Sequence, residues 1–146
     1  MAINNPVKGL ILVGGCFDVL HFGHISFLKA AKQHGTKLVV ALESDENVRR
    51  MKGPKRPIHN QNRRKMMLES LKFIDIVIPL PPMHNDRDYA RLVAEINPEV
   101  IAATEGDPVL AKKREHAGRV NARVVVIPRV RTPSTSQLAK LIGLER

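Results

Sequence analysis

The chain has 146 residues and a formal net charge of +10, with 24 lysines and arginines against 14 aspartates and glutamates. This length predicts a single domain that comprises residues 1–146. Because aromatic residues are only 3% of the chain, platforms for stacking single-stranded bases are scarce. A single cysteine excludes an internal disulfide, and no apolar stretch approaches the roughly 18 residues that span a bilayer; we therefore expect a soluble, cytoplasmic protein.

Short apolar runs alternate with segments of helical periodicity along the chain. In chain order, the predicted elements are strand 9–13, helix 25–33, strand 38–42, helix 45–52, helix 60–71, strand 73–79, helix 86–96, strand 99–104, helix 108–118, strand 123–128 and helix 134–143. This alternation predicts an α/β fold, a Rossmann-like, doubly wound sheet of five parallel strands in a single domain. In such sheets ligands bind beyond the carboxyl ends of the strands.

Three details of these helices are also predicted. In helix 60–71, Met66, Met67 and Leu71 are expected to face inward. In helix 108–118, Asp107 is expected to cap the helix and Pro108 to occupy its first position.

A paired glycine follows the first strand, in the stretch "GGCFDVLHFGHISFL" at 14–28. Gly14 and Gly15 stand where a backbone turns tightly and lets a phosphate come close, yet the stretch matches neither the G-x-G-x-x-G nor the G-x-x-x-x-G-K-[ST] pattern. His21 and His24 lie one helical turn apart, and Gly23 between them carries no side chain that would crowd a ligand. Their ring N–H groups are suited to donate to phosphate oxygens as charge builds in a transition state.

Two other interpretations of the histidines stay open at this point. The histidines are also compatible with ordinary surface or capping roles. A metal site built on Cys16, His21 and His24 is a weaker alternative, because no fourth ligand is evident and the spacing is not a familiar zinc pattern.

The positive charge is concentrated in one segment, "RRMKGPKRPIHNQNRRK" at 49–65, which contains eight basic residues and no acid. Such a field attracts polyanions, including nucleotides and nucleic acids, but a run of charge is also typical of a solvated surface.

The first motif carries a family resemblance. Six residues reproduce the G-x-F-D-x-x-H-x-G-H signature, and they are Gly15, Phe17, Asp18, His21, Gly23 and His24. The chain therefore resembles the cytidylyltransferase-like nucleotidyltransferases of the H-x-G-H type. The spacing of "SDENVRRMKGPKRP" is most similar to the glycerol-3-phosphate cytidylyltransferase and heptose-phosphate adenylyltransferase branches.

The resemblance extends to later segments and implies further site residues. Lys52 and Arg64 match the basic positions of the family's middle segment, and they are expected to neutralise the triphosphate or pyrophosphate. "ATEGDP" matches a Gly-Asp element near the nucleotide base, which makes Gly106 and Asp107 candidates. "RTPSTSQL" resembles the closing S-T-[ST] motif, in which hydroxyl groups hold the phosphates; the matching residues are Ser134, Thr135 and Ser136. The loop before Ser134 is shorter than in many relatives.

With the resemblance, the expected catalytic residues are His21, His24, Lys52 and Arg64. The expected nucleotide-binding residues are Gly14, Gly15, Cys16, Phe17, Asp18, Gly23, Gly106, Asp107, Ser134, Thr135 and Ser136. Asp18 is also compatible with a role in orienting the turn, and Cys16 is interpreted as a small buried residue rather than a nucleophile.

The resemblance implies transfer of a nucleoside monophosphate from CTP or ATP to a sugar or polyol phosphate, with release of pyrophosphate. It further implies Mg²⁺ as a bridge between phosphates and a homodimer. Two alternatives remain: an adenylyltransferase acting on FMN, and, from another class, a catalytically inert module that binds nucleic acid. Binding to nucleic acid or to a membrane is not expected in the first interpretation.

Overall fold

Five parallel strands form the centre of the part of the chain that the structure describes. The structure is a computed structural model that describes residues 5–131 and 135–143, without the side chain of Thr135. The strands are β1 (Val7–Gly15), β2 (Lys37–Leu42), β3 (Ile76–Pro79), β4 (Pro98–Thr104) and β5 (Arg123–Ile127). Their order across the sheet is β3-β2-β1-β4-β5, and all four pairings are parallel.

Helices cover both faces of this sheet. They are α1 (Phe22–Lys32), α2 (Asp45–Lys52), α3 (Gln61–Glu69), α4 (Asp86–Ile96), α5 (Leu110–Arg119) and α6 (Thr135–Leu141). Alternate residues of β1 enter two separate cores: Ile11 and Val13 pack with Leu28 of α1, whereas Leu10 and Leu12 pack in the core that contains Val93 of α4. This is the predicted doubly wound α/β architecture, and it explains why the strands read as continuous apolar runs.

The first and fifth helices begin elsewhere than predicted. Helix α1 starts at Phe22 rather than residue 25, because His21 caps it, so both motif histidines lie at its amino terminus. Helix α5 starts at Leu110, since the Asp107 carboxylate accepts the Val109 N–H within a preceding turn and does not cap the helix itself. The prediction that Pro108 occupies the first helical position was therefore wrong.

Helix α3 buries a different face from the predicted one. Met66 and Met67 were expected to face inward, but their exposed fractions are 68% and 37%. Arg64 and Leu68 are buried instead, at a spacing of four residues, and Leu71 packs against the same core. Because one turn of helix separates Arg64 from Leu68, the methionines between them point away from the sheet.

The topological switch point of the sheet lies next to β1. The chain runs from β1 outward through β2 to β3 and then returns to the other side of β1 as β4. Loops after β1 and β4 therefore diverge at the carboxyl edge of the sheet, where doubly wound proteins bind their ligands. The motif at 14–24 follows β1 directly.

Candidate active site

A strained turn connects β1 to α1. Phe17 and Val19 adopt positive φ values of 45° and 56°, a region that β-branched and bulky residues rarely enter. A Cβ atom on Gly15 would lie 2.8 Å from Cε2 of Phe17, so this glycine makes room for the buried aromatic ring. Gly14 is exposed, and a Cβ atom there would meet only Ala41 O at 3.8 Å. Space for a phosphate is thus open at Gly14, while Gly15 serves the turn.

The two histidines hold each other at the start of α1. Nδ1 of His21 accepts the N–H of Gly23 at 3.0 Å, and Nδ1 of His24 accepts the N–H of His21 at 3.3 Å. The rings stack with their centroids 3.8 Å apart, and Phe17 meets the His24 ring edge to face at 5.5 Å. These reciprocal bonds form a capping box built from imidazoles, so the capping interpretation is correct for Nδ1 of both residues.

The environment keeps both imidazoles neutral near pH 7. Burial is the main cause that lowers the pKa of His24 to about 4, and the nearby charges of His21, Lys52 and Arg56 lower it further. Burial also lowers the pKa of His21. Because each Nδ1 accepts a backbone N–H, the proton of each neutral ring lies on Nε2. Two Nε2–H donors therefore lie at the amino terminus of α1, where the helix dipole favours an anion.

Asp18 ties the turn to the loop between α2 and α3. Its carboxylate is 1% exposed and accepts the N–H groups of Ile58 at 2.7 Å and His59 at 3.0 Å. Nε of Arg56 donates to the same carboxylate at 2.8 Å. Burial alone would raise the pKa of Asp18, but these hydrogen bonds hold it below its usual value. The carboxylate is thus committed to protein groups, and the role in orienting the turn describes Asp18 better than direct nucleotide contact.

Arg64 is also a buried anchor in this structure. Its side chain is 0% exposed, and it donates to Cys16 O at 2.8 Å, His59 O at 2.9 Å and the carboxylate of Asp45 at 2.7 Å. These three contacts join the turn after β1, the loop before α3 and the start of α2. Arg64 was expected to neutralise phosphates, but its guanidinium is enclosed by protein. Its role in this structure is to hold together the segments that form the site.

Lys52 places its charge near His24. It is exposed at the end of α2, forms no ion pair within residues 5–131 and 135–143, and lies close enough to His24 and Cys16 to lower the pKa of each. Burial nevertheless raises the pKa of the Cys16 thiol above its usual value, which agrees with its interpretation as a non-nucleophile.

The basic segment is divided between interior and surface. Arg56 and Arg64 are buried, and Nη2 of Arg50 donates to Met83 O at 2.6 Å. The exposed members are Arg49, Arg50, Lys52, Lys55 and Arg63. The eight basic residues therefore do not form one continuous solvated face.

The predicted Gly-Asp element follows β4 in a tight turn. Gly106 adopts a φ of +80°, a conformation that glycine enters without strain. The Asp107 carboxylate forms an ion pair with Lys113 of α5, so its charge is already balanced by a protein side chain. This turn lies on the β4 side of the histidines.

The closing motif is described only in part. Nη1 of Arg56 donates a hydrogen bond to Ser136 Oγ at 3.1 Å. Because Arg56 also binds Asp18, this contact links the start of α6 to the first motif. The predictions for Ser134 and for the side chain of Thr135 lie outside the described residues.

Sequence reasoning missed a buried polar cluster after β2. Glu43 is 6% exposed, its N–H donates to Gly15 O at 3.0 Å, and its carboxylate accepts the Tyr89 hydroxyl at 3.0 Å. Asn47 is fully buried and donates to Tyr89 at 3.2 Å and to Met83 O at 2.9 Å. An acid directly after an apolar strand was the available signal, but its partner Tyr89 is 46 residues away.

The described residues provide no protein cage for a metal ion. No group of three His, Cys, Asp or Glu side chains in that part of the chain could hold one. In the alternative metal site at Cys16, His21 and His24, the Nδ1 atoms of both histidines already accept hydrogen bonds from backbone N–H groups and are not open to a metal ion. Among the described helices, none is long and apolar enough to cross a membrane.

A pair of neutral histidine donors at a helix amino terminus, beside the central strand of a Rossmann-like sheet, defines a site of the H-x-G-H nucleotidyltransferase class. A sequence model of the family described as cytidylyltransferase-like matches residues 12–140. The chain belongs to this family, and the predicted family is confirmed.

Curated relatives with similar sequences are larger proteins. The chain is 44% identical over 92 residues to the bifunctional protein HldE of Chromohalobacter salexigens, a match covering 63% of this chain and 18% of the relative. It is 34% identical over 132 residues to HldE of Coxiella burnetii, covering 90% of this chain and 27% of that protein. The matches thus span about a fifth to a quarter of these relatives.

Solved structures confirm the fold. A lipopolysaccharide core biosynthesis protein from Thermoplasma volcanium superposes with a TM-score of 0.67 at 24% identity, covering 86% of this chain and 99% of that one. A bifunctional NMN adenylyltransferase/ADP ribose pyrophosphatase from Francisella tularensis gives a TM-score of 0.72 at 16% identity, covering 92% of this chain and 42% of that one.

Proposed function

We propose that this chain transfers a nucleoside monophosphate from CTP or ATP to the phosphate of a sugar or polyol phosphate, such as heptose 1-phosphate or glycerol 3-phosphate, and releases pyrophosphate. The observation that carries the proposal is the pair of neutral histidines whose Nδ1 atoms are fixed by backbone N–H groups at the start of α1. The similarity to HldE proteins and the spacing of segment 44–57 support a sugar or polyol phosphate as the acceptor.

The reaction needs positioning and charge stabilisation rather than a general base. An oxygen of the acceptor phosphate is already an anionic nucleophile; it forms a bond to the α-phosphorus while the bond from that phosphorus to the bridging oxygen breaks, and pyrophosphate leaves. His21 and His24 donate from Nε2 to the α-phosphate as its charge redistributes. Lys52 attracts the triphosphate, and the amino terminus of α1 adds its dipole.

Other residues act through the shape of the site. Asp18, Arg56 and Arg64 hold the turn after β1 against the loop before α3, and Gly14 leaves room for phosphate oxygens. Gly106 and Asp107 lie on the β4 side, where the nucleotide base is expected, and Ser136 is placed by Arg56. Mg²⁺ would accompany the nucleotide and would neutralise part of the charge of its phosphates.

The test is a matrix of pyrophosphate-release assays. CTP, ATP, GTP and UTP are each combined with glycerol 3-phosphate, heptose 1-phosphate, other sugar phosphates and FMN. Release that requires one nucleotide and a sugar or polyol phosphate supports the proposal. Release only with FMN would replace it by the FMN adenylyltransferase alternative, and release with no acceptor would contradict it.

The variant His24→Asn tests the catalytic assignment. Asn keeps an acceptor near the Nδ1 position but removes the Nε2–H donor, so kcat is expected to fall on the order of a hundredfold, the effect of one lost oxyanion donor. His84→Gln, which removes an exposed imidazole of the same chain, is the control and is expected to keep wild-type turnover. Wild-type kcat in His24→Asn would contradict the proposed role.

A further inference from the structure

A buried carboxylate stands beside the catalytic turn without a role in the proposed reaction. Glu43 follows β2 directly, and its backbone N–H donates to Gly15 O at 3.0 Å. Burial is the main cause that raises the pKa of the Cys16 thiol in the same turn, and the nearby charge of Glu43 adds to that rise. The carboxylate therefore lies at the carboxyl edge of the sheet, on the β2 side of the histidines, whereas Asp107 follows β4 on the other side.

The carboxylate is held in one orientation by a chain of hydrogen bonds. The Tyr89 hydroxyl lies 3.0 Å from both carboxylate oxygens, and Asn47 donates to the Tyr89 oxygen at 3.2 Å. Asn47 is itself fixed, because it donates to Met83 O and accepts the Met83 N–H, each at 2.9 Å. A buried network of this kind restrains the position of its terminal group, which here is the Glu43 carboxylate.

Glu43 retains capacity to accept further hydrogen bonds. Two carboxylate oxygens offer about four acceptor sites, and the hydroxyl of Tyr89 supplies one proton. Within residues 5–131 and 135–143, Tyr89 is the only side chain that donates to it. Burial raises its pKa, while Tyr89 and the charges of Arg50, Arg64 and Lys113 oppose that rise.

The carboxylate of Glu43 is suited to bind a hydroxyl group rather than a phosphate. A carboxylate accepts hydrogen bonds from hydroxyl groups and repels a phosphate. Coulomb forces therefore favour an acceptor phosphate near the exposed charge of Lys52 rather than near Glu43. We infer that Glu43, oriented by Tyr89, receives a hydroxyl group of the acceptor and so makes the enzyme select a hydroxyl-bearing phosphate. This inference rests on the proposed function and names the part of the substrate that is recognised.

The experiment compares Glu43→Gln with Glu46→Gln in the pyrophosphate-release assay. Glu46 is exposed on α2, so its variant removes the same charge without touching the cluster. Loss of a hydrogen bond to a charged group is expected to raise the acceptor KM of Glu43→Gln about ten- to a hundredfold. The nucleotide KM is expected to stay within about twofold, and Glu46→Gln is expected to match the wild type.

A second arm changes the substrate instead of the protein. Propane-1,3-diol monophosphate is glycerol 3-phosphate without its middle hydroxyl, and 2-deoxy sugar 1-phosphates serve the same purpose for sugar acceptors. The wild type is expected to prefer the hydroxylated acceptor about ten- to a hundredfold, and Glu43→Gln is expected to lose most of that preference. Tyr89→Phe, which frees the carboxylate to rotate, is expected to change the acceptor KM in the same direction by a smaller factor.

The outcomes separate this inference from the proposed function. If the wild type is active but Glu43→Gln keeps both the wild-type acceptor KM and the preference for the hydroxyl, the inference is overturned and the proposed function stands. If Glu43→Gln raises the KM of nucleotide and acceptor alike and lowers the melting temperature, the cluster is structural and the inference is overturned. If the wild type releases no pyrophosphate with any acceptor, both fail.

Discussion

The structure makes the neutral state of His24 a measurable contribution to stability. Burial, together with the charges of His21, Lys52 and Arg56, holds the pKa of His24 at about 4, against an ordinary value of 6.5. The unfolded chain therefore binds more protons than the folded chain between those two values. Stability is present above pH 6.5 and is lost as the pH falls toward 4.

The size of this effect follows from the two pKa values. At pH 5 the imidazole is about 97% protonated in the unfolded state and about 9% protonated in the folded state, whereas near pH 7.5 both forms are almost neutral. The linkage relation converts this difference into a loss of about 2 kcal/mol between pH 7.5 and pH 5. For a protein of this size the loss corresponds to a fall in melting temperature of about 6 °C.

The measurement is the free energy of unfolding in urea at both pH values, for the wild type and for His24→Asn. Other titrating groups are shared by the two proteins, so their contributions cancel in the difference. The wild type is expected to lose about 2 kcal/mol more than the variant on acidification. His84→Gln is the control and should follow the wild type. Equal losses in the wild type and His24→Asn would refute the claim that the structure keeps His24 neutral by burial.

Three further predictions concern the other parts of the site and the core. Arg64→Leu breaks the buried contacts with Asp45, Cys16 and His59 and is expected to lower the free energy of unfolding by about 3 kcal/mol in urea titrations; a loss below about 1 kcal/mol would show that the guanidinium does not anchor the loops. Lys52→Met is expected to raise the nucleotide KM about tenfold while the melting temperature stays within about 2 °C, since its side chain is exposed; an unchanged KM would exclude it from phosphate binding. Leu28→Ala, on the buried face of α1, is expected to cost about 2–5 kcal/mol by calorimetry with little change in KM, and a cost under about 1 kcal/mol would contradict its full burial.

Much of the fold was predictable because its signals are local. Continuous apolar runs mark strands that are buried on both faces, and their alternation with helical segments gives the doubly wound class. The errors occurred where a local signal competes with a distant one. Met66 and Met67 are apolar enough for a core, yet α3 turns Arg64 and Leu68 inward, because Arg64 finds partners on the turn after β1 and on α2.

The sequence by itself determined the family, the five strands and the two histidines, since each of these is written in a short stretch of neighbouring residues. Only the tertiary structure decided which charges face a ligand. Arg64 and Asp18 resemble binding residues in the sequence but are enclosed by protein groups, most of them 19 to 48 positions away. Glu43 gains its orientation from Tyr89, 46 positions away. A charge can be buried only when folding brings a distant partner to it, and sequence periodicity carries no record of that pairing.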